Sequence, residues 1–270
     1  MSGKLPSYKS QNQQKGENKM KRWISLVILS MAVVLTLAST SSADIYMKQK
    51  VHTDAVQMMG MTQPANDLIA EIWVTEKGFR SDDPANSTIM LGKEQKMIIL
   101  DHAAKTYAEH PLNMNEMMAE MSKDKSPEEK AMMNQMMQKM MQMDASVQET
   151  ADKKTINHWK CRKYILTINS AMGPITSEIW ATEDLKVNKK VYEQLATRML
   201  ASMPGLQSSM ESMKKEMEKI KGVQVMTIST FTMMNQPHKS TTELLEFKEG
   251  TAPAGIFTIP AGYKKQTGNP

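Results

Sequence analysis

Between residues 44 and 108, short runs of β-forming residues recur with turn signals between them, the last three about ten residues apart. The runs are Asp44–His52, Leu68–Glu76, Thr88–Leu91, Lys96–Leu100 and Lys105–Ala108. Gln63-Pro64-Ala65-Asn66-Asp67, Lys77-Gly78, Gly92-Lys93 and Asp101-His102 punctuate them. This rhythm predicts an antiparallel meander.

The pattern then turns helical. Ser126 suits a cap, Pro127 the first helical position, and Glu129 completes a capping box, so a helix is expected from here to Met143. A shorter one is expected from Asn113 to Met121. Strand character returns at Thr155–Ile168 and Ile175–Thr182. Lys189–Met203 reads as helix and stops at Pro204-Gly205. Leu206–Lys221 reads as another, with Leu206, Met210, Met213, Met217 and Ile220 forming one apolar stripe and Gly222 as its stop. Val223–Met234 and Thr241–Lys248 read as a hairpin across 235–238, and Ile256–Ile259 as a last strand.

One internal echo crosses this organisation. Glu71-Ile-Trp-Val-Thr-Glu76 recurs as Glu178-Ile-Trp-Ala-Thr-Glu183. It is either shared β-propensity or the trace of two sheet halves built alike.

The chain has 270 residues and a net charge of +5. A basic balance invites nucleic acid as a partner, but the charges are not spread evenly. Lys4, Lys9, Lys15, Lys19, Lys21 and Arg22 precede residue 44 with only Glu17 against them, and from Asp44 onward the two signs cancel. Met20-Lys21-Arg22, the apolar stretch 23–38 and Ser-Thr-Ser-Ser-Ala43 have the three parts of a secretory signal peptide. Cleavage is expected after Ala43, with export to a bacterial periplasm or the extracellular space. Residues 1–19 read as a polar extension. The division is therefore 1–43 as extension and signal peptide, and 44–270 as a single domain with a Met-rich helical insert at 113–143. The lone Cys161 rules out an intramolecular disulfide and a Cys-based zinc site. Lys160 and Arg162 beside it point to the opposite face of a strand, so a buried, inert thiol is expected.

Methionine is the unusual residue, with 29 copies against four Phe and four Trp. Met132, Met133, Met136, Met137, Met140, Met141 and Met143 fan over about half the circumference of their helix. Three readings fit: core filling, an adaptable surface for apolar ligands, or a thioether site for Cu(I) or Ag(I). Catalysis has little to rest on. No Gly-x-Ser-x-Gly elbow, His-Glu-x-x-His or phosphate-binding loop is present, and the five His are scattered. Asp82-Asp83 reads as a turn.

A Glu-x-Trp strand running into Gly78-Phe79-Arg80, then Met97-Ile-Ile-Leu-Asp101, Lys105-Thr-Tyr107 and a closing Ile259-Pro-Ala-Gly-Tyr263 follow the export signal. Together they resemble the periplasmic lipoprotein-carrier superfamily, the outer-membrane lipoprotein-sorting proteins and an uncharacterised branch of their relatives. The resemblance implies an α+β fold: a curved antiparallel half-barrel with helices across its concave side, enclosing an apolar cavity for acyl chains. Burying each CH₂ contributes about 0.8 kcal/mol, enough for a long chain to bind.

The expectation is thus a periplasmic, non-enzymatic protein that holds a lipid or other apolar ligand between sheet and helices, with no catalytic residue, cofactor or nucleic acid. Met133, Met136, Met137 and Met140 are expected to line the site, with Trp73 and Trp180 as further candidates whose face depends on strand register. The alternatives are a Cu(I) site on Met132, Met133, Met136, Met137, Met140 and Met141, or an outer-membrane or periplasmic protein partner.

Overall fold

The computed structural model describes residues 44–266, apart from 59–60, 114–115, 117–118, 120–121, 124, 133–134, 136–143, 171–172, 187–206 and 234–235. Residues 44–265 fall within one compact unit, Leu35–Lys265, of the two into which the chain divides.

The strands are β1 (Asp44–Thr53), β2 (Val56–Met58), β3 (Met61–Gln63), β4 (Asn66–Val74), β5 (Gly78–Asp82), β6 (Asn86–Leu91), β7 (Lys96–Asp101), β8 (Thr106–Pro111), β9 (Asp144–Ile156), β10 (Trp159–Ser170), β11 (Gly173–Thr182), β12 (Val223–Met233), β13 (Gln236–Gly250) and β14 (Lys264–Lys265). Helix α1 spans Gln207–Met217. Twelve strands form one curved, open sheet in the order β14-β8-β7-β6-β5-β4-β1-β13-β12-β11-β10-β9, and β2 and β3 pair separately. Every pairing in the large sheet is antiparallel except β14 with β8. It consists of two meanders, β4–β8 and β9–β13, stitched together by β1.

Alternation along β1 defines the two faces. Ile45, Met47, Gln49 and Val51 are buried, and Tyr46, Lys48, Lys50 and His52 between them are partly exposed. Register carries the first set, the front face, across the sheet. Val74, Phe79, Met90 and Met97 follow from Ile45 on one side. On the other side, Tyr164, Ile179, Thr227 and Thr242 share the row of Val51. Helix α1 packs on this front face: Met217 and Ile220 join Val147, Tyr164, Leu166, Ile179 and Ala181 in one buried cluster. The back face carries a second cluster, Ile89, Ile98 and Leu100, under Phe257, Ile259 and Tyr263 of the C-terminal segment. Register breaks at Lys48/Gln49, Arg162/Tyr164 and Trp180/Ala181, where irregular pairing bends and twists the strands.

Several expectations are corrected. Thr155–Ile168 is not one strand: Asn157, at φ 56°, turns β9 into β10. Ile256–Ile259 pairs with nothing; residues 254–257 are turns, and Phe257 and Ile259 lie on the back-face cluster. Gly78 opens β5 rather than a loop, because a Cβ there would lie 2.2 Å from the Met90 carbonyl oxygen. The capping box forms as expected. Ser126 N donates to Glu129 Oε2 at 2.8 Å and Glu129 N to Ser126 Oγ at 3.2 Å, opening helical residues 127–132. The helix expected at 189–203 lies outside the described residues.

The echoed hexapeptides occupy matching places. β4 is flanked by β1 and β5, and β11 by β10 and β12, with the preceding strand on the same side in each case. Four antiparallel steps separate β4 from β11, so they run in the same direction. Trp73 and Trp180 both lie on the back face. Thr75 and Thr182 each accept the amide two residues on, at 3.0 Å from Lys77 and 3.1 Å from Asp184. The sheet halves are built alike.

Candidate functional site

Across the middle of the front face the buried side chains change character. Gln49, Ser177, Gln224, Thr227, His238, Ser240 and Thr242 are all buried, on β1, β11, β12 and β13. Register sets them in rows: Ser177, Ser229 and Ser240 cross three strands side by side, and Thr227 faces Thr242 in the next row. The Ser177 and Ser229 hydroxyls bond at 2.8 Å, and Thr227 Oγ1 donates to Gln224 Oε1 at 3.2 Å. From Gln224 to Phe231, the partner of His238, the strip runs roughly 20 Å at the usual strand rise.

Two nitrogens in this strip have no partner: Gln224 Nε2 and His238 Nε2. The His238 ring stacks on Phe231, with centroids 5.0 Å apart and planes 11° apart. Apolar groups bound the strip on both sides. The α1 cluster lies beyond β11, and Met47, Val51, Ile72 and Val74 lie on β1 and β4. No Asp, Glu, Lys or Arg is buried among the described residues. Methionine is well represented on this face, where Met47, Met90, Met97 and Met217 are buried.

Trp73 and Trp180 belong to the opposite face and do not meet. Trp73 packs on Tyr46, with ring centroids 5.2 Å apart. Trp180 is buried beneath Lys154, whose Nζ stands 4.1 Å from the ring centre. Met133, Met136, Met137, Met140 and Met141 lie outside the described residues. Met132 is described and is 74% exposed. No group of three His, Cys, Asp or Glu is placed to hold a metal ion among the described residues. Cys161 is buried as expected, and burial pushes its thiol pKa up.

The Ser/Thr/His strip went unread because its residues look solvent-facing. Only the strict alternation His238, Ser240, Thr242, Leu244 along β13 ties them to a buried leucine.

Fold and site define a mostly β protein: one open sheet whose front face is apolar, carries several buried methionines and is crossed by a hydrogen-bonding strip of Gln, Ser, Thr and His. The chain belongs to the DUF4412 family, described as a domain of unknown function, whose model matches residues 55–263. No curated protein matches it.

Proposed function

We propose that this chain is an exported, non-enzymatic binding protein of the periplasm, related in design to the lipoprotein carriers. Its front face holds a lipid or other apolar ligand between the sheet and its helices. The observation that carries this reading is the methionine content of that face. Met47, Met90, Met97 and Met217 are all buried there, on four different elements. Unbranched thioethers deform to fit varied apolar partners at low cost. Helix α1 brings Met217 to one end, and the 127–143 run supplies further methionines in sequence. The absence of buried charge among the described residues suits an apolar guest. The test is purification from the native periplasm followed by native mass spectrometry and solvent extraction. A co-purifying apolar molecule is expected. A ligand-free protein that also fails to bind N-phenyl-1-naphthylamine would rule the reading out.

Met132 favours a second reading. Its 74% exposed thioether stands at the start of the methionine run, open to a soft metal. Cu(I) titration under reducing conditions separates the two. Affinity lost on replacing Met132, Met133, Met136, Met137, Met140 and Met141 by Leu supports the metal site.

A further inference from the structure

We infer that His238 marks the polar end of the ligand site, and that the ligand is a hydrocarbon chain ending in an uncharged hydrogen-bonding group such as an ester or a hydroxyl. This rests on the apolar-ligand reading above and narrows it.

His238 is 6% exposed, and its Nε2 has no partner. Buried side-chain nitrogens in folded proteins are almost always bonded, so an orphan asks for an occupant. The ring is held in place. It stacks on Phe231 across the β12–β13 hairpin, which fixes the plane in which Nε2 points. Two residues along β13, Ser240 lies on the same face beside Ser229 and Ser177, which adds hydroxyls able to donate and accept. In the other direction, Phe231, Ile175 and Ile168 continue the row of His238 as apolar neighbours. A donor at the junction of a hydroxyl patch and an apolar row suits a molecule that is polar at one end only.

Charge decides which polar end. A carboxylate or phosphate taken into this face would be desolvated, and no Lys or Arg is buried among the described residues to compensate it. An ester carbonyl or a hydroxyl accepts from His238 Nε2–H and carries no charge to bury.

Displacement of N-phenyl-1-naphthylamine from the mature chain tests this with three competitors of equal chain length: a monoacylglycerol, a fatty acid and an n-alkane. Wild type is expected to bind the monoacylglycerol about fivefold more tightly than the other two, the usual worth of one hydrogen bond. His238→Leu is expected to abolish the gap between the monoacylglycerol and the alkane, and His238→Gln, which keeps a donor, to restore part of it. A monoacylglycerol advantage that survives His238→Leu, or a fatty acid that wins, overturns the head-group inference while apolar binding stands. No displacement by any competitor in wild type overturns both. Should His238→Leu fail to fold, the ¹⁵N resonance of His238 Nε2 in wild type decides. It is expected to shift on adding the monoacylglycerol, and an unmoved resonance overturns the inference.

Discussion

The Tyr263 hydroxyl lies 2.6 Å from His102 Nδ1, joining residues 161 positions apart. The chain of bonds continues inward. His102 Nε2 is 3.0 Å from Ser87 Oγ, Ser87 Oγ donates to Asp82, and Arg80 Nε holds Asp82 at 2.8–2.9 Å. With the Ser87 proton given to Asp82, its oxygen accepts from His102 Nε2–H. His102 Nδ1 then accepts from Tyr263, so every member of the chain has a partner. Arg80 also donates to the Ile256 carbonyl at 2.6 Å. The network clasps the C-terminal segment over the back-face cluster, and the family match ends on Tyr263 itself.

Tyr263→Phe removes the outermost bond and keeps the ring. It is expected to cost about 1 kcal/mol, and Ser87→Ala about 1–3 kcal/mol, because Ser87 is fully buried and its loss leaves Asp82 and His102 short of a partner. Urea unfolding of both variants, of His102→Ala and of the Tyr263→Phe/His102→Ala double variant checks this. Non-additivity is expected within the clasp, and strict additivity of Tyr263 and His102 would show that no clasp operates.

Two glycines separate conformational cost from collision. Gly222 has φ +90°, and a Cβ there would lie 1.9 Å from the Thr182 carbonyl oxygen. Gly173 has φ +107° with nothing within 4 Å. Gly173→Ala should therefore show only the left-handed penalty, about 1–2 kcal/mol. Gly222→Ala must in addition push the end of β11 from the α1–β12 connection, and a clearly larger loss of stability is expected. Equal midpoints in thermal unfolding would refute the distinction.

Cys161 is buried on the back face, its thiol donating to the Trp159 carbonyl at 3.5 Å, and burial raises its pKa. The native protein at neutral pH is expected to resist Ellman's reagent and to react with one equivalent only after denaturation. Fast labelling of the folded chain would contradict this burial.

How far the sequence revealed this structure depended on where water lies. Strands β1, β4, β6, β7 and β8 alternate apolar with polar residues and were legible, whereas β2 and β3 were not read as strands and β5 was hidden because Gly78 imitates a turn while letting two backbones approach. Strand β9 was missed because Asp144–Ile156 is the sheet edge. Of its thirteen residues only Val147 and Ile156 are buried, and its charged remainder suits an edge that must not recruit another strand. Ile256–Ile259 failed the other way. Its apolar residues serve a cluster, not a ladder, and Gly255 at φ +74° turns the backbone. The front-face strip was illegible because Ser, Thr and His alternating along β12 and β13 carry the same pattern whether that face meets water or protein.

The rim of the back face offers a pH-dependent element. His52 Nδ1 lies 2.6 Å from Asp67 Oδ1, and its Nε2 lies 3.1 Å from Asp54 Oδ1; Lys50 reaches Asp67 at 3.2 Å. Hydrogen bonding to Asp67 raises the His52 pKa, and the His52 and Lys50 bonds lower that of Asp67. The signs fix the window. The raised His52 contributes fully below its unfolded value and loses its contribution as pH rises through its folded one. The lowered Asp67 contributes above its unfolded value and loses its contribution as pH falls through its folded one. The cross-strand link between β1 and β4 is therefore strongest between the ordinary carboxylate range and the raised His52 value. An NMR titration is expected to place His52 above 6.5, with Asp67→Asn returning it toward that value. The whole cluster is solvent-exposed, so 1 M salt should shrink the shift markedly. A His52 titration that ignores both Asp67→Asn and salt would show that the two carboxylates do not hold the imidazole in solution.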